Sequence, residues 1–442
     1  MIDVPKPVSS RDRPRLRRAS RWRRALGLIG LCLAGLLLLS TNQMWAAGYW
    51  LQPTRESRLA AFDRLWSIMR DQYPYFDVKG ADWNDARDRY RPRVAAAGDD
   101  QVFFVLLAEM LGELNDGHTG VMSPYPDVAC FGATREVEGL ALVSVVGPSA
   151  TAHGLARGEI VTAVDGRDVE DALLALDPRL RTGSTPAARR GAAFEHLLCG
   201  PADHPLAVEV VGTAGQPRTL TLRAATTPAG PAPSATAAIR SERLAGGLGL
   251  IAVNRLYDDD GGDLVAAFDA ALARLSDAPG LILDLRGNGG GSSGIGDAIA
   301  GRFVPNALRY GREHYRLRLP FRGWLLSHDY VVQPRGPRYT GPLVVIIDTG
   351  VASSAEQLVA ALVDGAGART VGRATAGECG NPMRLDLRGG WVRFSTGDFR
   401  RSNGQPIEGV GLSPDDMVVW RLDDWRTGRD PDLATAVALL TP

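Results

Sequence analysis

The chain has 442 residues, and its hydrophobic fraction of 45% and charged fraction of 23% are those of ordinary globular proteins. These values exclude a disordered acidic chain, a collagen-like fibre and a polytopic membrane protein, and the length predicts more than one folding unit. The formal net charge is zero, but residues 1–50 hold eight arginines and one lysine against two aspartates, a net of +7. The remainder therefore carries −7, which argues against nucleic acid as a partner, because nucleic-acid-binding domains are basic.

The first fifty residues have the pattern of an export segment. A basic run over 11–24 precedes an uncharged apolar stretch of sixteen residues over 25–40, which is the order found in secretory signals. The stretch is shorter than the ~20 residues that span a bilayer, but residues 41–50 add no charge and contain aromatic residues suited to a membrane interface. Residues 1–50 are thus predicted to be a cleaved export signal or a membrane anchor. The rest of the chain is expected in the cell envelope, periplasmic or anchored to the inner membrane and outside the cytoplasm.

The four cysteines are too few for a disulfide scaffold and lack the paired spacing of a metal site. Cys32 lies in the apolar segment, which leaves Cys130, Cys199 and Cys379, so at most one pair can form within the chain. These three residues are predicted to be free and buried as small apolar side chains.

Residues 51–130 are predicted to form a helical region. Apolar residues recur at helical spacing over 55–70, and two more helices are predicted over 83–97 and 99–114. Gly117 follows the last of these helices and places His118 on a loop. A lone histidine is usually structural, and composition alone does not choose among the six histidines of the chain.

The pattern changes twice after this helical region. Residues 131–225 are predicted to hold short strands, including one over 137–146, with a helix over 187–198 and a closing hairpin. A Pro/Ala-rich stretch over 226–238 is the predicted linker. Strands and helices then alternate over 239–442, with continuous apolar strands, which predicts an α/β-sheet core. The predicted class is therefore α/β within a multidomain α+β chain.

Two strand ends in this core have residues suited to chemistry. A glycine run over 287–291 follows one apolar strand and precedes a helix, where exposed N–H groups suit an anion or form a tight turn. A second strand leads to Ser353 and Ser354 at the start of a helix whose dipole favours an oxyanion. Serines at this position are commonly N-caps, and a nucleophilic serine needs a base.

Taken in chain order, these segments resemble the S41 family of serine peptidases, which includes the C-terminal processing proteases and their tricorn-like relatives. The resemblance covers nearly everything after residue 55. It rests on LNDGHTG before the insert, DLRGNGGG at the glycine run, the SxxE pattern from Ser353 to Glu356, VGRATAGE, and PIEGVGLSPD near the C-terminus. It implies a PDZ-like insert over 131–225 and a peptidase core over 239–442.

The resemblance implies that Ser353 is the nucleophile, and that backbone N–H groups of Ser354 and Gly290 form the oxyanion hole. Processing proteases of this family use a lysine 25 residues beyond the serine as the base. Glu378 stands at that place here, and an ionised carboxylate is too weak a base for a serine hydroxyl.

The tricorn-like branch instead takes its base from a histidine, which His118 supplies. By similarity to the tricorn-like glutamate, Glu408 is predicted to orient the imidazole, with Glu378 and Asp116 as rival acids. Tricorn-like enzymes place a serine immediately before the histidine, whereas this chain has Gly117.

The PDZ-like insert implies a peptide-binding loop, and the strand after the loop would pair with an incoming peptide. The predicted loop residues are Gly139, Leu140, Ala141 and Leu142. The implied function is an exported serine endopeptidase that acts on unfolded or tail-exposed protein segments, without metal or cofactor. Two alternatives are a non-catalytic binding protein of the same fold and a membrane-tethered PDZ adaptor. The expected partners are protein or peptide substrates, and the membrane if residues 1–50 are retained.

Overall fold

A cluster of four helices opens the part of the chain that the computed structural model describes, which comprises residues 54–122, 128–223, 237–258, 262–319, 322–387 and 389–441. These helices are α1 (Arg55–Gln72), α2 (Phe76–Lys79), α3 (Trp83–Ala96) and α4 (Asp100–Gly112). The predicted helices are confirmed to within two residues, and Asp99 caps α4 by accepting the Val102 N–H. The short helix α2 was not predicted.

The helical cluster is joined to the core of the protein by strand pairing. After α4 a turn leads into β1 (Gly120–Met122), which pairs antiparallel with β18 (Gly390–Ser395), and β18 pairs with β17 (Pro382–Leu387). His118 lies in that turn, directly before β1. This pairing places the turn that holds His118 against the core.

The insert is a separate sheet with its own buried core. Its sheet has the order β3-β4-β5-β8-β9, with β6 paired to β5.

The strand predicted over 137–146 is instead the end of one strand, a two-residue turn and a second strand, because Glu138 and Gly139 both have positive φ (52° and 76°). The predicted closing hairpin is confirmed as β8 and β9. The elements of the insert are β2 (Val128–Cys130), β3 (Gly132–Val137), β4 (Leu140–Val146), α5 (Pro148–Ala152), β5 (Ile160–Val164), β6 (Arg167–Asp168), α6 (Val169–Ala175), α7 (Pro186–Glu195), β7 (Cys199–Pro201), β8 (Leu206–Val211) and β9 (Pro217–Leu222).

The core is built on a six-stranded sheet of order β10-β11-β12-β15-β16-β20. All neighbouring pairs except β10 with β11 are parallel, and β11, β12 and β15 are buried along their whole length. The fully buried parallel strands confirm the α/β-sheet prediction. The elements of this sheet and its helices are β10 (Ile239–Arg243), β11 (Gly249–Val253), α8 (Leu264–Arg274), β12 (Leu281–Asp284), α9 (Ser293–Ala300), β15 (Leu343–Ile347), α10 (Ser354–Ala366), β16 (Arg369–Gly372), β20 (Asp416–Met417), α11 (Leu422–Thr427) and α12 (Pro431–Leu440).

A second sheet of the core consists of a long hairpin and one more strand. The hairpin is β13 (Leu308–Leu319) with β14 (Arg322–Val332), and β13 also pairs with β19 (Gly397–Arg401). Because β12, β15 and β16 are adjacent and parallel, the segments that leave their carboxyl ends meet at one edge of the main sheet. Ligand and catalytic sites of such sheets lie at this edge.

One cysteine prediction is wrong. Cys130 and Cys199 form a disulfide between β2 and β7, and only Cys379 is free and buried among the described residues. The two strands pair antiparallel with Cys130 directly opposite Cys199, so the register of the sheet brings the two thiols together. A separation of 69 residues in the sequence gave no indication of this pairing.

The predicted export segment at 1–50 lies outside the described residues. Among the helices of the described ranges, none is both long enough and apolar enough to cross a bilayer.

Candidate active site

Ser353 lies where the segment after β15 turns into α10. Its backbone has φ 60° and ψ −132°, a conformation that residues other than glycine seldom adopt. Backbone strain of this kind is concentrated at functional sites. The Ser353 N–H donates to the Glu378 carbonyl oxygen at 2.7 Å, so the strained residue is fixed against the segment that follows β16.

Glu356, one turn into α10, connects the serine to that segment. Its fully buried carboxylate accepts hydrogen bonds from the Gly377 and Glu378 N–H groups, both at 2.8 Å, from the Thr375 hydroxyl, and from the Ser353 N–H at 3.3 Å. Burial raises the pKa of Glu356 to about 8, although these hydrogen bonds act in the opposite direction. The SxxE pattern therefore fixes the position of the serine relative to residues 375–378.

The predicted oxyanion donors lie next to Ser353. A Cβ on Gly290 would come within 2.8 Å of Ser353 Cβ and 3.0 Å of Ser354 N, which together with its φ of 93° explains why glycine is required. The Ser354 N–H belongs to the first turn of α10, where backbone donors have no partner within the helix. The Gly290 N–H, however, donates to Asn288 Oδ1 at 2.9 Å. In this conformation it is engaged within its own loop and is not directed to an oxyanion.

His118 is buried in the turn between α4 and β1. Its backbone N–H donates to Asp116 Oδ1 at 2.9 Å, and the other Asp116 oxygen accepts the Thr119 hydroxyl at 2.7 Å. The imidazole Nδ1 is fully buried and has no hydrogen-bond partner among the described residues. Burial lowers the pKa of His118 to about 4, in opposition to Asp116 and in the same direction as Arg393. The imidazole is therefore neutral at neutral pH, as a general base requires.

Two of the three predicted orienting acids lie beside this imidazole. One ligand atom from each of Asp116, His118 and Glu408 lies within 4.8 Å of the others. Asp116 holds the His118 turn through both of its oxygens, whereas Glu408 belongs to a different segment and brings a second carboxyl group to the ring. Burial and Asp116 raise the pKa of Glu408 to about 7.

Glu408 is itself positioned by contacts to both of its carboxyl oxygens. Its Oε2 accepts the Cys379 N–H at 3.1 Å, and its Oε1 forms an ion pair with Lys79 Nζ at 2.9 Å. The three-residue group around His118 has a spacing that a metal ion could use, but the ammonium group of Lys79 already supplies a cation at Glu408. Lys79 was not identified as a site residue from the sequence. The one available signal was its rarity, because Lys6 is the only other lysine in the chain.

The third rival, Glu378, links the serine and histidine segments. Its backbone carbonyl contacts Ser353, as described above, and its carboxyl group lies against Gly117, the residue before His118. Burial and Asp116 raise the pKa of Glu378 to about 7. Glu378 thus contacts both Ser353 and Gly117, the residue directly before His118.

The predicted peptide-binding loop does not have an open strand beside it. Gly139 belongs to the tight turn between β3 and β4, and the residues after it are paired on both sides. Ala141 and Leu142 pair with β3 on one side and with Val161 and Ile160 of β5 on the other. The prediction that an incoming peptide pairs with the strand after the loop is therefore wrong for this conformation. That strand is β4, and β3 and β5 occupy both of its edges.

Comparison with known proteins shows which families this chain resembles. Residues 247–418 match peptidase family S41, and residues 54–112 match the tricorn protease C1 domain. Tricorn protease homolog 1 of Streptomyces coelicolor is 27% identical over 435 residues, which cover 88% of this chain and 35% of the homologue. This chain spans about a third of the length of the curated relatives that it matches.

The solved structures show similarity of fold. The crystal structure of mature CPAF superimposes with a TM-score of 0.73 at 17% sequence identity, covering 87% of this chain and 98% of CPAF. Mature CPAF complexed with lactacystin gives a TM-score of 0.70 at 16% identity, with the same coverage of both chains.

Proposed function

This chain belongs to peptidase family S41, a family of serine peptidases, and we propose that it is an endopeptidase acting on unfolded or tail-exposed protein segments. Ser353 is the nucleophile and His118 is its general base. The observation that carries the proposal is the position of Glu378, whose carbonyl holds the strained Ser353 and whose side chain lies against the residue before His118. Ser353 follows β15 at the carboxyl edge of the parallel sheet, where such sites are found.

The proposed reaction follows the serine-peptidase scheme. His118 accepts the proton of the Ser353 hydroxyl as the oxygen attacks the scissile carbonyl, and later gives that proton to the leaving amine. Glu408 stabilises the imidazolium that forms between these steps. The Ser354 N–H stabilises the oxyanion, and each such donor contributes about 3–4 kcal/mol to the lowering of the barrier. Water then hydrolyses the acyl-enzyme.

We further propose that the protein acts outside the cytoplasm. The basic and apolar composition of residues 1–50 supports export. The disulfide between Cys130 and Cys199 also supports it, because structural disulfides persist in oxidising compartments. The part of the chain after residue 50 then meets its substrates in the cell envelope.

A second candidate is a non-catalytic binding protein of the same fold. The engaged Gly290 N–H favours it, since one predicted oxyanion donor is bound to Asn288 instead of being directed to a substrate. The presence of both Ser353 and His118, on segments that each contact Glu378, favours the enzyme.

Labelling with a fluorophosphonate probe distinguishes the two functions. The full chain is compared with Ser353→Ala and His118→Ala, and with Ser292→Ala and His314→Ala as matched controls outside the proposed site. We expect the probe to label the wild type and both controls. We expect no labelling of Ser353→Ala or His118→Ala. A well-folded wild type that stays unlabelled, with no cleavage of an unfolded casein substrate, would favour the binding protein.

A further inference from the structure

Lys79 at the end of α2 connects three separate parts of the proposed active site. Its ammonium group pairs with Glu408 Oε1 at 2.9 Å, donates to the carbonyl of Asn115 at 2.8 Å, and donates to the carbonyl of Ser184 at 3.5 Å. Asn115 precedes the His118 turn, and Ser184 lies in the segment that leads into α7 of the insert. The Lys79 side chain is 8% exposed and the Glu408 side chain 1% exposed, so this ion pair is shielded from water.

The chemistry of this position suits lysine and not arginine. The chain contains 50 basic residues, of which only Lys6 and Lys79 are lysines. An ammonium group is a compact charge with three donors that diverge from one atom, whereas the guanidinium of arginine is a flat fork. Two carbonyls and one carboxylate from three different segments surround Lys79 Nζ.

We propose that Lys79 is a positioning residue for the Glu408–His118 pair, which holds the Glu408 carboxyl group beside the imidazole and favours its charged form. The inference rests on the proposed function, in which Glu408 stabilises the imidazolium of His118. Lys79 acts through Glu408 and not on the substrate.

The surroundings of Glu408 show why this cation matters. Burial and the nearby Asp116 both favour the protonated form of Glu408, while the charge of Lys79 and a hydrogen bond from Ser184 lower its pKa. Without that charge the carboxyl group becomes neutral at neutral pH, and a neutral acid stabilises an imidazolium poorly. The titratable and charged groups that face Glu408 or its partners in this cluster are Tyr73, Tyr75, Lys79, Asp116, His118, Glu378, Cys379 and Arg393.

The test measures Glu408 directly and does not depend on activity. The full chain labelled with carbon-13 at the glutamate carboxyl is titrated by NMR, and Glu408→Gln assigns the signal. We compare the wild type with Lys79→Met and with Lys79→Arg. The midpoint of Glu408 is expected to rise by about one pH unit or more in Lys79→Met, and by less than half of that shift in Lys79→Arg, which retains the charge.

The pH profile of probe labelling at Ser353 provides a second readout. In Lys79→Met the midpoint of the rise in labelling rate should move to higher pH by the same amount. A shift of one pH unit from a midpoint near 7 lowers the rate at pH 7 by about fivefold. Arg316→Met is the matched control, since Arg316 is an exposed cation that pairs with Asp77 of the same helix at 3.6 Å. That variant should leave both readouts unchanged.

The outcomes separate this inference from the proposed function. A folded Lys79→Met protein in which Glu408 titrates as in the wild type would overturn the inference. A wild type that is never labelled would contradict the proposed function, while the carboxyl titration would still decide whether Lys79 controls Glu408. If Lys79→Met does not fold, Lys79→Gln removes the charge while keeping donors for the Asn115 and Ser184 carbonyls, and gives the same comparison.

Discussion

Glu378 occupies the space beside Gly117 into which any side chain at position 117 would extend. A Cβ built on Gly117 would overlap the carboxyl group of Glu378. These are the two positions at which the chain departs from the patterns it resembles, with glycine in place of the tricorn-like serine and glutamate in place of the processing-protease lysine. In this conformation the two departures are in contact, because the carboxyl group of Glu378 fills the space that a side chain at residue 117 would need.

Replacing Gly117 by serine should destabilise the protein when Glu378 is present. The added side chain overlaps a buried carboxyl group, and overpacking of this kind costs about 1–3 kcal/mol. Glu378→Ala removes the obstruction, so the double variant should recover most of that loss. Urea unfolding of both single variants and of the double variant measures the coupling.

Gly120→Ser is the matched control for this cycle. No atom lies within 4 Å of a Cβ built at Gly120, so this variant should unfold close to the wild-type urea midpoint. If Gly117→Ser were as stable as Gly120→Ser with Glu378 intact, the two positions would not be linked.

The rate of probe labelling should rise with pH through a midpoint near 7, and this midpoint should belong to Glu408 and not to His118. Burial lowers the pKa of His118 to about 4, so the imidazole is already neutral above pH 5. Burial raises the pKa of Glu408 to about 7, so its charged form appears only as the pH passes that value. In Glu408→Gln the residual rate should be low and nearly constant between pH 5 and 8. A midpoint near 7 that persists in this variant would assign the titration to another group.

Glu378 should make the folded state less stable as the pH rises. Burial raises its pKa from 4.5 in the unfolded chain to about 7 in the folded protein, so the folded state binds the proton more tightly. Its contribution to stability is therefore fully present below pH 4.5 and is lost as the pH rises through 7. In the wild type this loss lowers the free energy of unfolding by an amount on the order of 2–3 kcal/mol over that interval, and in Glu378→Gln this decrease should be absent. Urea unfolding of the wild type and of Glu378→Gln at pH 5 and pH 8 tests this. If the free energy of unfolding differed between the two pH values by the same amount in both proteins, the prediction would be contradicted.

The regular elements were predictable because their sequence patterns are local. The periodicity of the three longer helices and the continuous apolar strands of the core identified them to within a few residues. The two-residue turn at Glu138 and Gly139 was missed, because the apolar residues on either side of it form one uninterrupted strand pattern. Pairing of β4 on both edges was also missed, since strand order depends on contacts between distant segments.

The site was predictable as a set of motifs but not as a set of contacts. Motif order identified Ser353, His118 and Glu408 as candidates for one site. The ion pair of Lys79 with Glu408 joins residues more than 300 positions apart, and no local pattern in the sequence marks it. The hydrogen bond from Gly290 to Asn288 is local, but its existence depends on a peptide orientation that the sequence does not specify.

Replacing Glu356 by glutamine should inactivate the protein without unfolding it. Both carboxylate oxygens accept backbone N–H groups, so the amide NH2 of glutamine would face at least one donor. Residues 375–378 and Ser353 would then shift relative to each other, and a displacement of about 1 Å in a catalytic group can reduce the rate by about 100-fold. The labelling rate of Glu356→Gln and its circular dichroism spectrum test this. Labelling within threefold of the wild type would show that Glu356 does not position the serine.

Loss of the disulfide between Cys130 and Cys199 should lower the free energy of unfolding by about 2–4 kcal/mol, because the bond restricts the unfolded chain over a long loop. The double variant Cys130→Ser/Cys199→Ser should unfold at lower urea concentration than the wild type, and reducing agent should have no further effect on it. The wild type should lose a similar amount of stability when dithiothreitol is added. Cys379→Ala serves as the control, because Cys379 is the free thiol of the described residues and its replacement leaves the bond intact. If dithiothreitol left the wild-type urea midpoint unchanged while the thiols became titratable, the disulfide would contribute nothing to stability.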